Sequence, residues 1–200
     1  FPNVFSPKWP IYCDKRAKSY CGSFKDDPWV IGTFLDNELE WYGKNGKPWG
    51  LFDETMKKPA GHTAKAAALA FLQARYPTIA ALNAAWKTRL PSWQAVSEST
   101  ALDSSTEQAD RDRLDFIRLI ADKYFTVTNA AMKKYDPHHL NLGCRFAGRM
   151  PPGVIEVCGQ VCDIVTVNYY GHVDLDRGLS TDMPRIFADY AARCKRPMMI

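Results

Sequence analysis

Short apolar segments alternate with helical segments along this chain of 200 residues, and this alternation restricts the possible folds more than any other feature. The segment 29–35 is short, β-branched and aromatic without clean polar alternation, which predicts a strand buried on both faces. Three further strands are predicted at 140–146, 162–170 and, where a fourth strand begins, 196–200. Five segments have the pattern of helices: 14–21, 63–76, 78–86, 105–135 and 183–194. Strands that alternate with helices predict an α/β fold with parallel strands.

Two architectures satisfy this alternation, a (β/α)8 barrel and an open doubly wound sheet. An open nucleotide-binding sheet needs a glycine-rich phosphate loop after its first strand, and neither G-x-G-x-x-G nor G-x-x-x-x-G-K-[ST] occurs in the sequence. The pattern therefore favours the (β/α)8 TIM barrel, with residues 1–200 as a single partial domain. Within it, a loop rich in glycine and proline and two helices form a helical excursion over about residues 42–103.

Polar side chains follow the predicted strands at the points where these strands end. The first strand is followed by Asp36, Asn37, Glu38 and Glu40. The second strand ends near Arg145, and the third ends in Asn168, Tyr169, Tyr170 and His172. Because a (β/α)8 barrel carries its catalytic residues at the carboxyl ends of its strands, the sequence predicts an active site formed by these residues.

The most informative motif is the segment Phe34-Leu35-Asp36-Asn37-Glu38-Leu39-Glu40-Trp41. It resembles the end of the fourth strand in clan A glycoside hydrolases, whose barrels place an Asn-Glu pair there. The likeness is greatest to the family 42 β-galactosidases and the family 50 β-agarases. Further stretches agree in order, at residues 1–7, 71–76, 79–86 and 168–172, so the resemblance covers nearly the whole chain.

The resemblance implies that the chain is a fragment covering about strands 4 to 7 of the barrel of a longer retaining glycoside hydrolase. Such an enzyme cleaves β-galactosidic or related β-glycan linkages by double displacement. Glu38 would be the general acid/base, and the nucleophile would lie just beyond Ile200. Asn37 would hydrogen-bond the sugar 2-hydroxyl, and Tyr169 would orient the nucleophile.

Alternation along the strand does not distinguish Glu38 from its acidic neighbours. Asp36, Glu38 and Glu40 have the same parity, so the choice of Glu38 rests on the resemblance. A surface carboxylate at the entrance of a loop is the structural alternative for each of them.

The remaining site residues are predicted to bind the carbohydrate, each with a structural alternative. Trp41 and Trp49 offer flat faces to the C–H groups of a sugar, or else pack in the core. Arg145 would bind a sugar hydroxyl or an anionic substituent, or else pair with a structural carboxylate. Substrate binding is also predicted for the residues that end the third strand: Asn168, Tyr169, Tyr170 and His172.

Composition limits the partners. The 26 basic and 22 acidic residues are dispersed without a basic block, so no nucleic acid is expected. No apolar run of about 18 residues occurs, so no membrane partner is expected either. The six cysteines lack the paired spacing of zinc sites and are expected to be buried free thiols, with a disulfide between Cys158 and Cys162 or between Cys13 and Cys21 as the alternative.

No metal or other cofactor is predicted, and a secreted, periplasmic or cytoplasmic location all remain open. A carbohydrate-binding relative without catalysis, or an inactive fragment, is the main alternative function, and an α/β enzyme acting on another class of substrate is a third. The excursion over residues 42–103 would shape a cleft for a polymer, or form a contact between subunits of a homo-oligomer.

Overall fold

The computed structural model describes residues 1–179 and 182–200. The chain forms two compact units, one combining Phe1–Trp9 with Glu40–Ile120 and the other combining Pro10–Leu39 with Ala121–Ile200. The elements, in chain order, are α1 (Lys8–Phe24), β1 (Gly32–Thr33), β2 (Asp36–Asn37), α2 (Gly50–Met56), α3 (Thr63–Arg75), α4 (Ile79–Trp86), α5 (Trp93–Glu98), α6 (Glu107–Tyr135), β3 (Leu140–Asn141), β4 (Cys144–Ala147), α7 (Pro152–Val161), β5 (Val165–Asn168), β6 (Val173–Asp174), β7 (Gly178–Leu179), α8 (Met183–Cys194) and β8 (Met198–Met199).

The first unit is helical, and side-chain caps fix where two of its helices begin. The hydroxyl of Thr78 accepts a hydrogen bond from the main-chain N–H of Ala81 at 3.1 Å, which starts α4. The hydroxyl of Ser92 starts α5 in the same way. The predicted helices at 63–76 and 78–86 are confirmed as α3 and α4.

The core of the first unit is an aromatic cluster around Phe116 on α6. The ring of Phe5 stacks on Phe116 with 5.7 Å between centroids, and Phe52 meets it edge-on at 5.7 Å. Phe71 on α3 lies at 5.6 Å. Because each of these rings comes from a different segment, the cluster joins the N-terminal segment, α2 and α3 to α6.

A buried carboxylate, Asp112, connects α3 and α4 to α6. Its Oδ1 accepts hydrogen bonds from Arg75 at 2.6 Å and Gln108 at 2.8 Å. Its Oδ2 accepts from the Tyr76 hydroxyl at 2.5 Å and from the Trp86 indole at 2.7 Å. Four donors therefore compensate the loss of water around a charge that is fully buried.

The second unit contains a sheet of four parallel strands in the order β2-β4-β5-β8, together with the parallel pair β1-β3 and the antiparallel hairpin β6-β7. The predicted α/β fold with parallel strands is confirmed. The strand order follows the chain, and the reversal that defines a doubly wound sheet does not occur among the described strands.

The first predicted strand, 29–35, is shorter and more exposed than expected. Only Gly32–Thr33 of this run is β1, and Trp29 is 91% and Ile31 70% exposed, so the prediction of burial on both faces is wrong at its start. Within the described residues β1 pairs with β3 alone. The pairing is close, because a Cβ on Gly32 would lie 2.3 Å from the carbonyl oxygen of Leu140.

Helices α7 and α8 pack against each other in the second unit. A Cβ added to Gly159 of α7 would lie 2.1 Å from the main-chain oxygen of Cys194, so the absence of a side chain at Gly159 permits this approach. The predicted helix at 183–194 is confirmed as α8. Helix α7 begins with Pro152 at its first position and was not predicted.

All six cysteines are buried free thiols, as expected, and neither of the alternative disulfides is formed. Burial raises the pKa of the Cys13 thiol to about 11, so this thiol stays protonated near neutral pH. Among the described residues, none of the helices combines the length and apolar character needed to cross a membrane.

Candidate active site

The carboxyl ends of β2, β4 and β5 lie side by side because these strands are parallel neighbours. In the strand register Asn37 is opposite Arg145, and Arg145 is opposite Thr166. Asn168, the last residue of β5, is opposite Ala147. The polar residues that end the first, second and third predicted strands therefore meet at one edge of the sheet.

Asn168 connects the two residues of the Asn-Glu pair. Its side-chain Nδ2 donates to Oε1 of Glu38 at 2.8 Å and to Oδ1 of Asn37 at 3.1 Å. The main-chain N–H of Glu38 donates to the main-chain oxygen of Arg145 at 2.9 Å. These hydrogen bonds hold the Glu38 carboxyl group in one orientation. Because the Glu38 side chain is exposed, the carboxyl group remains accessible to a bound molecule.

Glu38 has a left-handed backbone conformation, with φ of 55°. This conformation costs a non-glycine residue on the order of 1 kcal/mol, and such strain is often found at functional sites. It comes directly after β2, which ends at Asn37, so Glu38 does not continue the alternation of the strand. The left-handed turn separates the direction of the Glu38 side chain from that of Asp36, although the two residues have the same parity.

Asp36 differs from Glu38 in its surroundings. Its Oδ2 accepts a hydrogen bond from the hydroxyl of Tyr124 at 3.3 Å, and its Oδ1 accepts from the main-chain N–H of Asn37 at 2.8 Å. The Cys144 thiol lies 3.5 Å from the same Tyr124 hydroxyl. Burial, and then the nearby Cys144 and Asp36, raise the pKa of Tyr124, so its hydroxyl remains a donor. Asp36 therefore has a structural role, because both of its carboxylate oxygens accept hydrogen bonds within the protein. Glu38 is the accessible carboxylate.

Sequence reasoning did not identify Tyr124 as a contributor to this edge. It lies on the apolar stripe of α6, where a tyrosine is expected to be a core residue, and its side chain is indeed buried. The hydrogen bonds of its hydroxyl with Asp36 and Cys144, which are opposite each other in the strand register, place Tyr124 next to the site.

The other predicted binding residues lie on the strand ends and in the loop after β5. The Arg145 guanidinium is over the ring of Phe34, 5.1 Å from its centroid. Tyr169 packs edge-on against Phe187 at 6.0 Å, and its hydroxyl donates to the main-chain oxygen of His172 at 3.3 Å. Tyr170 is 86% exposed, and His172 is also exposed.

The structure corrects the predicted role of Trp41 in the site. It belongs to the first unit, its side chain is 0% exposed, and the ring of Phe1 meets it edge-on at 4.7 Å. A ring without an accessible face does not stack on a sugar, so the predicted role of Trp41 in substrate binding is wrong and its alternative role in the core applies.

The described residues contain no group of three or more His, Cys, Asp and Glu side chains arranged to hold a metal ion. The arrangement at the edge of the sheet is instead an oriented carboxyl group beside two amides and a guanidinium, which is suited to hydrogen bonding with hydroxyl groups and to proton transfer.

Comparison with solved structures identifies the class: the structural neighbours of this chain are glycoside hydrolase domains. PfGH50B covers all of the chain with a TM-score of 0.86 at 28% identity, and the chain covers 29% of PfGH50B. An exo-β-agarase covers 100% of the chain with a TM-score of 0.86 at 29% identity, and 27% of that structure is matched. A β-galactosidase from the psychrophilic Marinomonas ef1 matches 84% of this chain with a TM-score of 0.57 at 16% identity, and the match covers 24% of the β-galactosidase. At this identity the likeness is one of fold alone.

Within that class, the homologues of the chain are family 50 β-agarases. β-Agarase B of Vibrio sp. (strain JT0107) is 28% identical over 179 residues, which are 83% of this chain and 18% of that protein. β-Agarase A of the same strain is 31% identical over 156 residues, or 72% of this chain and 16% of that protein. The chain thus spans less than a fifth of the curated relatives it matches. No protein-family model matches it.

Proposed function

We propose that this chain is part of the catalytic barrel of a retaining β-agarase, and that it carries the general acid/base, Glu38. The observation that carries the proposal is the hydrogen bond from Asn168 to the exposed carboxylate of Glu38, at the carboxyl edge of parallel strands. Relatives that are β-agarases supply the substrate class, a β-linked galactan.

The strand order supports assignment to strands 4 to 7 of a (β/α)8 barrel. In this assignment β1 and β2 are parts of the fourth strand, β3 and β4 are parts of the fifth, β5 is the sixth and β8 begins the seventh. A barrel requires neighbouring strands to follow the chain order, and the sheet β2-β4-β5-β8 does so. The excursion over residues 42–103 is an insertion after the fourth strand.

The register of β8 supports the position of the nucleophile. Thr166 of β5 is opposite Met199 of β8, so the residue after Ile200 would be opposite Asn168 if the register continued. A carboxylate there would be next to the amide that contacts Glu38. Retaining glycosidases need two carboxyl groups about 5–5.5 Å apart, and this geometry supports a nucleophile just beyond Ile200.

The mechanism uses two steps. In the first, Glu38 gives its proton to the glycosidic oxygen while the nucleophile attacks the anomeric carbon, which forms the glycosyl-enzyme and releases the leaving group. In the second, ionised Glu38 takes a proton from water, and the oxygen of that water replaces the nucleophile.

The neighbours of Glu38 have separate roles in this proposal. Asn37 hydrogen-bonds the 2-hydroxyl of the sugar, a contact that strengthens in the transition state. Asn168 positions Glu38, and Arg145, Tyr170 and His172 contact the substrate from the adjacent strand end and loop. Tyr169 orients the nucleophile through its hydroxyl, which then donates to the nucleophile instead of to the main-chain oxygen of His172.

The proposal is tested by replacing Glu38 with glycine or glutamine in the intact protein. We expect the rate of agarose hydrolysis to fall by a factor of about 10²–10⁴. For an aryl β-galactoside whose leaving group is an acidic phenol, the rate of the first step should fall much less, because this leaving group needs little protonation. Azide should rescue the glycine variant and give a β-galactosyl azide, which also shows retention. Glu40→Gln is the matched control and should keep its activity.

Two results would reject this function. Full agarose hydrolysis by Glu38→Gln would exclude Glu38 as the acid. Binding of agarose by the unmodified intact protein without any hydrolysis would instead support the carbohydrate-binding alternative.

A further inference from the structure

The first unit contains an open cavity of about 740 Å³ that the catalytic proposal does not use. It is lined by the segments around Asn45–Lys57 and Thr100–Thr106, and by the first turns of α6. Its volume is within the range of roughly 300–1,000 Å³ that is typical of sites for small molecules. All residues that line the cavity belong to the first unit: they come from the excursion, from the residues just before α6 and from the start of α6.

Arg113 is a buried residue of this cavity whose hydrogen bonding is incomplete. Its side chain is only 5% exposed. Nη1 donates to the Ser104 oxygen and to Asp110, both at 2.9 Å, and Nη2 donates to the Leu102 oxygen at 2.7 Å. The buried Nε–H has no hydrogen-bond partner among the described residues. Three acceptors therefore hold the Arg113 guanidinium in place in the wall of the cavity.

Trp49 gives the cavity an aromatic wall. The Arg113 guanidinium lies between two indole rings, 5.6 Å from the centroid of Trp49 and 5.0 Å from that of Trp86. Both indole rings line the cavity, but Trp86 is buried, whereas Trp49 is only half-buried. The cation therefore fixes an aromatic ring that still has accessible surface, and such a ring suits the C–H face of a sugar.

The polar lining adds donors and acceptors for hydroxyl groups. Three exposed lysines, Lys47, Lys57 and Lys87, line the cavity together with acidic side chains. Asp53, one of these acids, already accepts a hydrogen bond from the Asn45 amide at 2.8 Å. A fixed aromatic ring beside many hydrogen-bonding groups, in a lining that is more polar than apolar, suits a carbohydrate better than a lipid.

We infer that this cavity is a second carbohydrate-binding site, which holds a short segment of galactan against Trp49. The identity of the sugar rests on the proposed function, whereas the carbohydrate class rests on the cavity itself. The site would raise the affinity for polymer and contribute nothing to the hydrolysis of a substrate that has a single galactose ring.

The test uses the intact protein in the Glu38→Gln background, where a bound oligosaccharide is not consumed. Binding of a tetrasaccharide derived from agarose is measured by calorimetry, and binding of insoluble agarose by sedimentation. We expect Trp49→Ala to weaken polymer binding at least fivefold and Trp49→Phe to retain most of it. Lys57→Ala should weaken binding about two- to fivefold, while Lys58→Ala, an exposed neighbour outside the cavity, should not change it.

Hydrolysis of an aryl β-galactoside separates the two proposals. In the protein with Glu38 intact, Trp49→Ala should raise KM for agarose at least fivefold, a much larger effect than its effect on kcat/KM for this small substrate. Unchanged agarose affinity in a folded Trp49→Ala variant, together with unchanged affinity in Lys57→Ala, would overturn the second site. An equal loss in Lys57→Ala and Lys58→Ala would also overturn it. Full activity of Glu38→Gln would overturn only the catalytic proposal.

Discussion

Asn168 and Glu38 are 130 residues apart in the chain, yet the amide of one donates to the carboxylate of the other at 2.8 Å. The same amide nitrogen donates to Asn37 at 3.1 Å. A single side chain therefore sets the orientation of both residues of the Asn-Glu pair. Under the proposed mechanism Asn168 is a positioning residue, because it acts through Glu38 and Asn37.

Replacing Asn168 with alanine in the intact protein should lower kcat/KM for agarose about 10- to 100-fold, since a hydrogen bond to a charged group is worth about 1.5–3 kcal/mol. The loss should be several times smaller for an aryl galactoside whose leaving group needs little protonation, because proton donation by Glu38 matters less there. Initial rates with both substrates check this. An equal loss on both substrates would indicate a structural role and reject positioning of the acid.

Removing the buried carboxylate of Asp112 should destabilise the first unit strongly. Asp112→Ala leaves Arg75 without one of its carboxylate partners and leaves three further donors unpaired, which costs about 3–5 kcal/mol. Amide hydrogen exchange of α4 and of α6 near Asp112 should accelerate at least 100-fold at neutral pH. Glu107→Ala, at the exposed start of α6, is the control and should leave exchange unchanged.

The same carboxylate should make this unit sensitive to acid. Burial alone would raise the pKa of Asp112, but the hydrogen bonds from Tyr76, Trp86, Arg75 and Gln108 outweigh it and lower the pKa below its usual value. The stabilisation is therefore present above the pKa of an unfolded aspartate, about 3.9, and is lost as the pH falls through the lower folded value. After correction for the intrinsic pH dependence of exchange, the amide exchange rates of this unit should increase as the pH falls from about 4 to 2. A variant Asp112→Asn with the same acid dependence would contradict the assignment.

Several parts of this fold follow from local patterns. Apolar periodicity located α3, α4, α6 and α8, because each helix buries one stripe of its surface. The polar residues at three strand ends were expected to meet, because the carboxyl ends of parallel strands lie at one edge of the sheet. The bond between Asn168 and Glu38 is a consequence of that geometry.

Other parts depend on contacts that no local pattern contains. Trp41 is buried against Phe1, a partner 40 positions earlier, so its type alone did not decide between core and binding site. Glu38 has a positive φ without being glycine, asparagine or aspartate, and this left-handed turn distinguishes it from Asp36. Helix α7 begins within Pro151-Pro152-Gly153, a sequence typical of a loop, although proline is favoured in the first turn of a helix.

The pair of His139 and Asp136 should make the end of α6 sensitive to alkaline conditions. Asp136 lies 2.8 Å from Nδ1 of His139, and Nε2 of the same ring is 3.0 Å from the main-chain oxygen of Asp27. The hydrogen bond with Asp136 is the main cause that raises the pKa of His139. The stabilisation is therefore complete below the pKa of an unfolded histidine, about 6.5, and is lost as the pH rises through the higher folded value.

Hydrogen exchange of residues 136–142, corrected for intrinsic rates, checks this prediction. Protection should decrease as the pH is raised from about 6 to 9, and His139→Phe should remove this dependence. His138→Phe is the matched control, because His138 is adjacent and exposed. A pH dependence that persists in His139→Phe would assign the effect to another group.

Two glycines within helices should respond to alanine in opposite directions. A Cβ on Gly159 would lie 2.1 Å from the Cys194 main-chain oxygen, whereas a Cβ on Gly22 of α1 would meet nothing closer than the Tyr135 Cβ at 4.0 Å. Both substitutions gain helix propensity, about 0.5–1 kcal/mol. Gly159→Ala should nevertheless destabilise the second unit by about 1–3 kcal/mol, because α7 and α8 must separate. Gly22→Ala should stabilise the same unit, as measured by the midpoint of urea unfolding. If Gly159→Ala were neutral, α7 and α8 would not pack as closely as the structure places them.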